Sequence, residues 1–65
     1  MLEIDFISIH QKNGSSISIA MDQLMDYNMN DFNSDGFLFA VINYTDGRYC
    51  IAECLGVVLK LLKVL

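Results

Sequence analysis

Residues 31–36, Asp31-Phe32-Asn33-Ser34-Asp35-Gly36, set side-chain oxygens at alternate positions and end on a glycine. Such a string can offer oxygen ligands to a hard cation, with the glycine allowing the chain to turn sharply. The same residues make an Asx-rich turn, in which side-chain oxygens cap neighbouring backbone N–H groups and the glycine opens a strand. Cys50, Cys54 and His10 are the other metal-ligand types, but the cysteines straddle the end of an expected strand without the short knuckle of a zinc site. They read as buried, small apolar side chains. His10 has no partner for nucleophilic catalysis and sits among serines, as a surface histidine would. Ser15, Ser16 and Ser18 suit cross-strand hydrogen bonds.

Residues 31–36 resemble the opening half of an EF-hand calcium loop, D-x-N-x-D-G. That resemblance covers six residues and implies Asp31, Asn33 and Asp35 as weak ligand candidates. The chain departs from the pattern at the twelfth position, where a bidentate Glu belongs and Ile42 stands. The residues after Gly36 are strand-like rather than helical. The turn is therefore the preferred reading, with no metal site and no cofactor assigned and a calcium-responsive module kept as the alternative.

Charge is more informative than motif. The net charge is −4. Along the chain, Glu3, Asp5, Asp46 and Glu53 are balanced by Lys12, Arg48, Lys60 and Lys63, so the excess falls on Asp22, Asp26, Asp31 and Asp35. Asp22 and Asp26 are one helical turn apart and share a face. A segment with that charge keeps an apolar chain soluble or attracts a basic partner. Four dispersed bases cannot neutralise a run of phosphates, so direct nucleic-acid binding is not expected.

The apolar content is high. The chain is 54% hydrophobic with mean hydropathy +0.40, in a single domain over residues 1–65. A domain this small has little interior to receive those side chains, and oligomerisation is one remedy. The surplus is greatest in residues 53–65. At helical spacing Leu55, Val58, Leu59, Leu62 and Leu65 make one apolar stripe and Val57, Leu61 and Val64 a second. Only a strip about 80° wide is left polar at ~100° per residue. One sheet can cover one stripe, so the other predicts a second copy at Val57, Val58, Leu61, Leu62 and Leu65. A peripheral membrane helix, with Lys60 and Lys63 snorkelling, is the other use of such a surface. The longest apolar run, about 12 residues, falls short of the ~20 that span a bilayer. The start, Met1-Leu2-Glu3-Ile4-Asp5, lacks the basic start and apolar run of an export signal, so a cytoplasmic protein is expected.

Two dipeptides that readily take φ > 0, Asn13-Gly14 and Asp46-Gly47, predict two hairpins. Superposing Gly14 on Gly47 aligns Phe6 with Phe39 and Ile9 with Ile42, a faint internal repeat. A loop Asn13-Gly14-Ser15 would pair Ile9 with Ile19 and leave Ser8, His10, Ser16 and Ser18 on a wet face. A two-residue Asp46-Gly47 turn would set Tyr44 opposite Tyr49, as a stabilising pair or an aromatic anchor for a partner. Residues 37–44 are apolar on both faces and predict a central strand. Met21, Leu24, Met25 and Asn28 share a face and predict a short helix after the first hairpin.

The expected fold is α+β, in the order ββα-ββα: a mainly antiparallel four-stranded sheet with two helices, oligomeric. No nucleophile–base pair or paired carboxylates can be placed, which argues against an enzyme. The expected function is a small acidic interaction or inhibitor protein, of the kind phage and plasmid genomes encode. Its expected partners are itself and a protein with a basic surface, the latter meeting Asp22, Asp26, Asp31, Asp35, Tyr44 and Tyr49.

Overall fold

Isoleucines alternating with polar residues along β1 (Ile4–Gln11) and β2 (Ser16–Ala20) give that hairpin one greasy side and one wet side. The computed structural model of the protein describes residues 3–26 and 34–64. Two further strands, β3 (Phe37–Tyr44) and β4 (Tyr49–Ala52), complete one sheet in the order β2-β1-β3-β4, every pair antiparallel. The chain is α+β, as expected. Its helices differ from expectation. The segment after β2 is a 3₁₀ helix, Met21–Asp26, rather than an α-helix. Another 3₁₀ turn, Ser34–Gly36, precedes β3, and the only α-helix among the described residues is α1 (Leu55–Val64).

Both hairpins close with the same turn. Gly14 donates its N–H to the Gln11 carbonyl at 3.0 Å, and Gly47 donates to Tyr44 at 3.1 Å. The glycines take φ of +89° and +91°, a region that L side chains enter only with strain. Glycine is therefore the last of three loop residues, Lys12-Asn13-Gly14 and Thr45-Asp46-Gly47. In each loop the middle residue accepts a hydrogen bond two positions on: Asn13 Oδ1 from Ser15 N at 2.9 Å, Asp46 Oδ1 from Arg48 N at 3.0 Å.

This geometry corrects both expected registers, the first by two positions and the second by one. Ile9 pairs with Ile17 and Ile7 with Ile19, which still keeps the isoleucines together and Ser8, His10, Ser16 and Ser18 on the other face. In the second hairpin Tyr49 lies opposite Asn43, so Tyr44 and Tyr49 point to opposite faces instead of pairing. Tyr44 packs against the core, while Tyr49 is 67% exposed.

Among the described residues the core sits on one face of the sheet. Ile7, Ile9, Ile19, Ala40, Ile42 and Ala52 are buried there, roofed by Val58 from α1, which crosses β3 and β4. Burying each Ile or Val side chain is worth about 1.5–3 kcal/mol. Among the described residues no polar side chain is buried.

Candidate interaction surfaces

The helix divides as its two stripes imply. Leu55 and Val58 face the core, and Val57 on the second stripe is 48% exposed. Val58, with no exposed surface, is held within the protomer, so a partner at this helix would meet the side bearing Val57. The side chains of Leu61 and Leu62, and all of Leu65, lie outside the described residues.

The second face of the sheet carries no roof among the described residues. Side chains from β1 (Phe6, Ser8, His10), β3 (Phe39, Val41, Asn43) and β4 (Tyr49, Ile51) emerge there. None of these eight side chains is acidic, a lysine or an arginine. His10 lies flat on Phe39, its cross-strand neighbour, with ring centroids 4.6 Å apart and planes 17° from parallel. Sequence reasoning placed His10 on a serine face and missed this stack, because Phe39 comes from the other hairpin.

The acids gather differently in space than along the chain. A one-residue irregularity in the β1–β3 ladder between Ile4 and Phe6 sets Asp5 out of the regular pairing. Glu3 is fixed nearby, its carbonyl accepting a hydrogen bond from Thr45 N at 2.9 Å. Glu3, Asp5 and Asp22 then line one open groove of about 510 Å³ with Ile4, Ala20, Met21 and Thr45. Lys12, which offsets one of these acids by count, belongs to the first hairpin loop at the opposite end of β1, where its N–H reaches the Gly36 carbonyl. Arg48 is engaged with Asp46 at 3.0 Å.

Of the four acids singled out from sequence, Asp22 belongs to this groove and Asp35 is exposed in the turn before β3. The side chain of Asp26 lies outside the described residues, as do Asp31 and Asn33 entirely. Among the described residues no three His, Cys, Asp or Glu side chains converge as metal ligands. Cys50 and Cys54 are both exposed free thiols, where sequence reasoning took them as buried apolar groups. No described helix is long and apolar enough to cross a membrane. No protein-family model matches the chain, and neither the curated proteins nor the solved structures include a significant match to it.

Proposed function

We propose that this is a small acidic interaction protein, acting by contact as a binder or inhibitor rather than by catalysis, and assembling with itself. The observation that carries the reading is the convergence of Glu3, Asp5 and Asp22 on one groove at the end of the sheet. Three like charges around one hollow repel each other in the free protein, and a basic partner would relieve that repulsion. Rim charges of this kind act mainly on the rate of encounter and make it salt-sensitive. Self-association is supported by apolar surface left uncovered in the protomer, at Val57 on the helix and across β4.

The test is the variant Glu3→Gln, Asp5→Asn, Asp22→Asn, used with the wild-type chain to capture partners from lysate at low and high salt. Basic proteins retained by wild type at low salt should be lost both from the variant and at high salt. Equal capture by the two chains at low salt would contradict the assignment and leave the acids a solubilising role.

A further inference from the structure

We infer that β4 is a self-complementary edge: two copies pair their β4 strands antiparallel about a two-fold axis at Cys50, joining two four-stranded sheets into one of eight. The inference rests on the self-association proposed above but assigns it to a surface other than the helix.

The backbone groups that β4 does not pair with β3 define this edge. Tyr44 N donates to the Arg48 carbonyl at 2.9 Å, which makes Tyr44–Arg48 a hydrogen-bonded pair. Antiparallel pairs alternate, so Cys50 and Ala52 spend their backbone groups on Ile42 and Ala40. Tyr49 and Ile51 therefore turn their N–H and C=O away from β3, toward the open edge. Both side chains are more than half exposed, and Tyr49-Cys50-Ile51-Ala52 contains no charge and no proline. Charge and proline are among the devices that proteins use to blunt an edge, and only the shortness of β4 remains of them.

A second copy fits this edge in one favoured register. Outward residues must meet outward residues, so the two-fold falls on a residue rather than between two. Centred on Cys50, the pairing sets Tyr49 opposite Ile51 of the second copy, twice, an aromatic–β-branched match on the open face. It also sets Arg48 opposite Ala52 of the second copy at each end, with no like charges in register. Centred on Ile51, it would instead set Tyr49 against Glu53. The favoured register makes Cys50 a non-hydrogen-bonded pair with its own copy, with Cα atoms about 4.5 Å apart, inside the disulfide range of about 4.4–6.8 Å. The Cys50 thiol already leans to that side, its Sγ 3.9 Å from the outward Ile51 carbonyl. The other edge offers no such match, since β2 turns Ser16, Ser18 and Ala20 outward and gains nothing apolar by pairing.

The test combines mass in solution with cross-linking. Wild type should show twice its 7.4 kDa mass as concentration rises through the micromolar to millimolar range. Ile51→Pro removes one outward N–H that pairs with nothing among the described residues, so it should fold and stay monomeric. Ile51→Lys, which keeps the backbone intact, should weaken the dimer by about tenfold or more. Val57→Lys on the helix should leave the mass unchanged. Diamide takes two electrons and two protons from a pair of thiols, yielding one disulfide and the hydrazine. On a denaturing, non-reducing gel it should link wild type and Cys54→Ser into a covalent dimer but leave Cys50→Ser unlinked. A dimer dissolved by Val57→Lys but not by either Ile51 change would overturn edge pairing and leave self-association through the helix. A wild-type chain monomeric throughout would overturn both.

Discussion

The two hairpins are near copies on their inner strands and unlike on their outer ones. β1 and β3 lie side by side in the middle of the sheet, with the same sequence of buried and half-buried positions from end to end. Ile9 and Ile42, aligned by matching the turn glycines, are both buried. The outer strands divide their apolar residues in opposite ways. β2 sends Ile17 and Ile19 to the core and leaves serines outside. β4 gives the core only Ala52 and holds Tyr49 and Ile51 in solvent. One turn chemistry thus builds two hairpins, and the side-chain pattern of the outer strand decides which hairpin covers its apolar residues and which leaves them in solvent.

The largest effect expected from this contrast is on stability. Ile9→Ala should cost about 2–5 kcal/mol, comparable to the whole stability of a domain this small, so the variant should be largely unfolded. Ile51→Ala, measured at a concentration where the chain is monomeric, should cost under about 1 kcal/mol. Urea denaturation of both variants checks the pair, and equal losses would mean that β4 is as integral to the protomer as β1.

The turns provide an intermediate effect. Gly14→Ala and Gly47→Ala should each cost about 1–2 kcal/mol from backbone strain alone. A Cβ at either position meets nothing within 4 Å, so sterics add no difference between them. Thermal melting should show matched losses. Clearly unequal losses would mean that the hairpins do not share their turn.

The smallest stability effect belongs to the acids. Asp22→Asn should change stability by no more than about 0.5 kcal/mol, since the side chain is exposed. A clear gain would show that repulsion within the Glu3–Asp5–Asp22 groove is stronger than a solvated rim allows.

Much of this architecture was legible in the chain, and the failures have physical causes. Asn13-Gly14 and Asp46-Gly47 announced both hairpins, and the doubly apolar residues 37–44 announced a central strand. The registers slipped because glycine's positive φ can stand within or at the end of a loop, and sequence does not distinguish the two. Met21–Asp26 became a 3₁₀ helix because six residues give too little α-helix to offset the cost of nucleation. The acidic groove was hidden by counting charges along the chain. Glu3 and Asp5 are far in sequence from Asp22 but meet it at one end of the sheet, while Lys12 goes to the other.

Backbone hydrogen exchange, followed residue by residue as concentration is raised, tests most directly the claim that β4 is the unfinished side. In the dilute protein the Cys50 and Ala52 amides should be protected and the Tyr49 and Ile51 amides fast, with the outward amides of Ser16, Ser18 and Ala20 equally fast. At high concentration protection should come to Tyr49 and Ile51 alone. The β2 amides should stay fast. Tyr49 and Ile51 amides that remain fast at every concentration, or protection that comes equally to Ser18, would contradict the claim.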